Sequence, residues 1–123
     1  MKELNIKQIM GELESGNYNY YGLRNATEHD LELINSGRTY LDCSHNWVDN
    51  EDTEEKLEGS CAVYVSEYMS AKEITARYNQ VLNNYFGNTI LLIADNTSEW
   101  GNDENEIVLG NGWGADIIGI VRL

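Results

Sequence analysis

The last third of the chain constrains the fold most. Asn88 to Asp95, Glu106 to Leu109 and Asp116 to Leu123 are three apolar, strand-like runs. The first, with Thr89-Ile90-Leu91-Leu92-Ile93-Ala94 at its heart, has the uninterrupted apolarity of a strand covered on both faces. A polar loop, Asn96 to Asn105, and the turn Gly110-Asn111-Gly112-Trp113-Gly114 separate the three runs. These connections are too short for the helical crossovers that parallel neighbours require, so they predict hairpins.

Helical signals precede that region. Leu4, Ile6, Ile9, Met10 and Leu13 fall near one face of a helix over Lys2 to Leu13, stopped by Gly16 and Asn17. Tyr18 to Leu23 reads as a short strand. Thr27 with Asp30 forms an N-cap pattern ahead of Leu31, Leu33 and Ile34, and Gly37 ends that helix. Arg38 to Cys43 reads as extended, and Ser60 to Ser66 as a strand of small and β-branched residues. Ser70-Ala71-Lys72-Glu73 is a capping box that opens a third helix, carried by Ile74, Tyr78, Val81, Leu82 and Tyr85 and closed by Gly87. The sequence therefore predicts one α+β domain over residues 1–123, a mainly antiparallel sheet with two or three helices packed on it.

Charge then limits function. The 123 residues hold 21 acids against 8 Lys and Arg, a formal net charge of −13. Such a surface repels nucleic acid polymers and anionic membranes. No apolar run approaches the roughly 20 residues of a membrane span, and the N-terminus has no signal-peptide pattern, so a cytoplasmic protein is expected. Asp42 to Glu58 is the most acidic stretch and reads as a solvated loop or short exposed helix; it lacks the glycine of a calcium loop. Cys43, Cys61, His29 and His45 lack zinc-ligand spacing, and the cysteines read as buried thiols.

An anion site in this chain would need particular arginines. Arg24, within Tyr20-Tyr21-Gly22-Leu23-Arg24-Asn25, is the first candidate: a guanidinium at a strand end forks onto phosphate or carboxylate, and Gly22 lets a ligand approach the backbone. A surface ion pair is the alternative. Arg77, mid-helix, is weaker, as are Arg38 and Arg122. Phe86, at a helix-to-strand junction flanked by Asn83, Asn84, Gly87 and Asn88, offers a stacking platform for a base, and Asn96 an amide that reads an adenine edge. Trp113 lies in a turn whose three glycines let backbone N–H groups converge on an anion. Asp103-Glu104-Asn105-Glu106 places a Glu-x-Glu-like acid run at a strand mouth.

Tyr20-Tyr21-Gly22-Leu23-Arg24-Asn25-Ala26-Thr27, Thr39-Tyr40-Leu41, Gly59-Ser60-Cys61-Ala62-Val63-Tyr64 and Leu91-Leu92-Ile93-Ala94-Asp95-Asn96 together resemble a phage anti-Thoeris family, from about Tyr20 to Leu123. The resemblance implies a small α+β protein, dimeric or larger, without a cofactor. It implies sequestration, without cleavage, of a cyclic ADP-ribose isomer such as glycocyclic ADP-ribose, made by the TIR enzyme of Thoeris in the cytoplasm of the infected bacterial host. Some members also hold cyclic oligonucleotides at separate sites. The family's adenine-stacking aromatic falls on Phe86 and its adenine-contacting Asn on Asn96; Arg24 is the first choice for its pyrophosphate. Trp113 stands where a second arginine is sought, a departure from the pattern. Arg77 and Asp103 complete the expected ligand set.

Binding energetics fit such a role. A stoichiometric sponge needs a dissociation constant near nanomolar, about −12 kcal/mol. A ligand of roughly 35 non-hydrogen atoms at about 0.3 kcal/mol each approaches that value only when mostly enclosed, which favours a site between two chains. Two other classes stay open on sequence. One is a minimal ADP-ribosyltransferase using Arg24 and Glu106, although Ser60-Cys61-Ala62 stands where a Ser-Thr-Ser strand is sought. The other is an acidic mimic of DNA.

Overall fold

The computed structural model describes residues 2–18, 20–37, 40–43, 62–84, 88–95 and 113–123. In chain order the elements are β1 (Glu3–Leu4), α1 (Ile6–Ser15), β2 (Tyr20–Asn25), α2 (Glu28–Asn35), β3 (Tyr40–Cys43), β4 (Ala62–Val65), α3 (Ala71–Asn84), β5 (Ile90–Asp95) and β6 (Trp113–Val121). The class is α+β, as the sequence predicts.

One six-stranded sheet runs in the order β1-β6-β5-β2-β4, with β3 also paired to β6. Among the described residues every pairing is antiparallel except that of β1 with β6. β6 is nine residues long, and two short strands share one of its edges: β3 opposite Trp113 to Asp116, and β1 opposite Ile120 and Val121.

The sheet is covered on both faces, and β5 shows why its sequence is continuously apolar. Ile90, Leu92 and Ala94 point into a core shared with Ile9 and Leu13 of α1 and Ile74 and Val81 of α3. Leu91 and Ile93 point the other way, towards Leu31, Leu33 and Ile34 of α2. These five residues of β5 are inaccessible to solvent. Alternation along a strand thus divides one apolar run between two cores.

Capping chemistry sets the helix ends. Thr27 and Asp30 exchange side-chain and backbone hydrogen bonds at the start of α2, and Ser70 and Glu73 do so ahead of α3. Gly16 ends α1 in the left-handed region at φ 68°, which favours glycine. The first helix differs from expectation. It begins at Ile6 instead of Lys2, because Asn5 caps it through a reciprocal pair with Gln8, and Glu3–Leu4 pair with β6 instead. Leu4 joins the core as a strand residue.

β6 also begins earlier than predicted. Trp113 and Gly114 belong to the strand, in register with Cys43 and Asp42, and are not part of a turn. A bulge opposite Leu92 and Ile93 inserts Ile118, so that Ile118 packs into the same core as Val121. Gly119 follows. A Cβ there would stand 2.7 Å from the Lys2 carbonyl oxygen and 3.0 Å from Leu4. Only glycine lets β1 approach this closely. The predicted strand at Glu106 to Leu109 lies outside the described residues.

Candidate functional site

Arg24 is not an open anion clamp in this structure. Alternation along β2 sends Leu23 into the α1/α3 core and Arg24 to the opposite face, beneath α2. There its Nη2 donates to both carboxylate oxygens of Asp30, at 3.1 and 3.2 Å. The two side chains are 4% and 5% exposed. A guanidinium removed from water needs a charged or strongly polar partner, and Asp30 supplies it. The same carboxylate accepts the Thr27 backbone N–H at 3.0 Å, so one group caps α2 and ties it to the sheet. In this structure the Arg24 side chain ties α2 to β2.

Arg77 also has a structural partner. From α3 its Nη1 donates at 2.7 Å to the Tyr64 carbonyl of β4, the last strand in the sheet order. An edge carbonyl is thereby satisfied. Arg24 and Arg77 therefore serve different layers of the fold and do not converge on one anion within a chain. Arg122 pairs with Glu3 at 2.9 Å on the surface. Phe86, Asn96 and Asp103, together with Arg38 and Glu106, lie outside the described residues, as does the Trp113 side chain.

Sequence reasoning missed a cleft. It opens between the C-terminal end of α1, the start of β2, the end of β4 and the turn before α3, with a volume of about 140 Å³. Leu13, Gly16, Tyr18, Tyr21, Tyr64, Val65, Ser66, Glu67 and Tyr68 line it. Two of its rings are fixed by hydrogen bonds. Tyr21 is buried and donates its hydroxyl to the Glu12 carbonyl at 3.0 Å. Tyr18 meets Tyr21 edge-to-face, with centroids 5.7 Å apart and planes at 77°. The Tyr18 hydroxyl donates to Asp116 Oδ2 at 3.0 Å. Desolvation, and then this carboxylate, raise the Tyr18 pKa above its ordinary value. Tyr68 stands 88% exposed. The four tyrosines come from two separate stretches of chain, 18–21 and 64–68, and no local motif joins them. Eight tyrosines in the sequence were the only signal.

A space of this size admits one ring or one compact head group and does not enclose a dinucleotide. Among the described residues no three His, Cys, Asp or Glu side chains are grouped to hold a metal ion, and no helix is long and apolar enough to cross a membrane. No family model, curated protein or solved structure matches the chain.

Proposed function

We propose that this protein is a phage anti-defence sponge that binds a cyclic ADP-ribose isomer made by the TIR enzyme of Thoeris and leaves it uncleaved. The observation that carries the reading is where the resembling segments lie. Tyr20 to Asn25, Ala62 to Tyr64 and Leu91 to Asp95 occupy β2, β4 and β5, consecutive in the sheet as β5-β2-β4. Tyr40 and Leu41, from the remaining resembling segment, lie on β3, which pairs with β6.

Two features shape the proposed site. Phe86 precedes β5 in the chain and Asn96 follows it. In this reading Phe86 stacks on the adenine and Asn96 reads its edge, at a site enclosed between two copies in the host cytoplasm. With Arg24 paired to Asp30 and Trp113 and Gly114 in β6, the backbone N–H groups of Gly110 to Gly112 are the remaining candidates for the pyrophosphate.

The test is recovery of the ligand. Protein is incubated with glycocyclic ADP-ribose, heat-denatured, and the supernatant chromatographed. Return of intact nucleotide in stoichiometric amount supports sequestration. A hydrolysed or transferred product overturns it in favour of an ADP-ribosyltransferase-like enzyme.

A second reading, an acidic decoy for a basic nucleic-acid-binding protein, rests on how cations are used. Lys2 lies 3.7 Å from Glu12, and Arg24 and Arg122 pair with Asp30 and Glu3. Cations so engaged leave the acid excess to the surface. Binding to such a partner that falls steeply between low and high salt would favour this reading.

A further inference from the structure

We propose that the tyrosine cleft between α1 and the β4–α3 turn is a binding site for a compact organic cation, an alkylammonium head group. This site is separate from the one proposed for the nucleotide and does not depend on it.

Three observations converge. The first is aromatic. Tyr18, Tyr21 and Tyr68 line a space of about 140 Å³, and the hydroxyls of Tyr18 and Tyr21 are occupied by Asp116 and the Glu12 carbonyl. With their polar tips engaged, Tyr18 and Tyr21 present ring to the cleft they line, and aromatic rings attract cations. Their fixed positions lower the ordering cost of binding.

The second is electrostatic. Glu67 lines the cleft, and Asp116 lies behind Tyr18. The α1 helix ends at this point, and its last turn holds no basic residue. The negative end of the helix dipole therefore reinforces the carboxylates. No Lys or Arg lines the cleft. The nearest described cation is Arg77, whose guanidinium is held by the Tyr64 carbonyl.

The third is exposure. Tyr68 is 88% accessible, whereas the other described aromatic residues of the cleft are at least partly covered. A large ring left in water at the rim of an aromatic cleft is placed to fold over a ligand. Gly16, opposite, has nothing within 4 Å of the Cβ position, so the entrance is open there. The space matches a trimethylammonium group, whose volume is close to that of the benzene-sized cavities of proteins.

The probe is choline, titrated against the full-length protein and followed by the proton signal of its methyl groups, which shifts upfield over an aromatic face. Its neutral isostere, 3,3-dimethylbutan-1-ol, has the same shape without charge. The expected result is saturable choline binding at least about tenfold tighter than the isostere. Tyr68→Ala and Glu67→Gln, both at exposed positions, should each weaken it several-fold while leaving the thermal melt unchanged. A peptide carrying trimethyllysine forms the other arm. Binding tighter than choline assigns the head group to a protein side chain, and weaker binding assigns it to a free small molecule. Equal affinity for the isostere, an unchanged affinity in Tyr68→Ala, or no saturable shift overturns the proposal.

Discussion

Removing one member of the Arg24–Asp30 pair should be far more damaging than removing both. Both side chains are about 5% exposed, and one nitrogen of Arg24 faces both oxygens of Asp30. Arg24→Met leaves a buried carboxylate with the Thr27 N–H as its remaining described contact. Breaking a buried pair in this way costs about 3–5 kcal/mol. A chain of 123 residues has a total stability of about 6–18 kcal/mol, so the loss is a large fraction. Asp30→Leu should cost a similar amount, because it removes the carboxylate that neutralises a buried guanidinium and half of the capping box. The double variant buries no charge and loses mainly the cap, about 1 kcal/mol. Equilibrium urea unfolding of the four proteins closes the cycle, provided the denaturant slopes agree. The expected coupling exceeds about 2 kcal/mol, with the double variant more stable than either single one. Additive losses, each under about 1 kcal/mol, would refute the buried pair and indicate an exposed one. The same variants bear on ligand binding. Folded Arg24→Met should keep its nucleotide affinity, and a loss of affinity with stability unchanged would return Arg24 to the phosphate.

Gly119→Ala should destabilise by about 1–3 kcal/mol, since the new Cβ would meet the Lys2 carbonyl oxygen at 2.7 Å. Hydrogen exchange should then accelerate at the Ile120 and Arg122 amides, which bond Lys2 and Leu4 across that contact. Asn5→Ala should cost about 1 kcal/mol through loss of the α1 capping box, read by thermal unfolding. Tyr18 yields a pH signature. Its folded pKa lies above 10.0, so the folded state holds this proton more tightly than the unfolded chain. Its contribution to stability is complete below about pH 10 and is lost as pH rises through the folded value. Urea midpoints should therefore fall more steeply above pH 10 in the parent than in Tyr18→Phe; identical slopes would contradict a Tyr18 proton held by burial and Asp116.

Local signals in the sequence were reliable where the chemistry was local. Thr27 with Asp30 and Ser70 with Glu73 mark two helix starts, and the apolar run at Thr89 to Ala94 marks the central strand. The Asn5–Gln8 box was equally present in the sequence, yet the apolar period through Leu4 and Ile6 hid it. Pairing with β6 decided the matter, because Leu4 reaches the same core from a strand. Arg24 shows the other limit. Its neighbourhood in sequence reads as exposed and anion-seeking, but whether a strand face is open depends on where the next helix lands. Here α2 lies across it, and Asp30, already marked as a capping residue, had a second role that only packing reveals. The tyrosine cleft was illegible for a similar reason, since Tyr18, Tyr21, Tyr64 and Tyr68 meet only through the sheet and the α1 terminus.

Native mass spectrometry of the protein mixed with glycocyclic ADP-ribose tests the central claim most directly, because it reads assembly and ligand mass together. The account predicts a dimer or larger homo-oligomer carrying nucleotide of unaltered mass. A ligand-free monomer, or an assembly carrying a hydrolysed nucleotide, would contradict it.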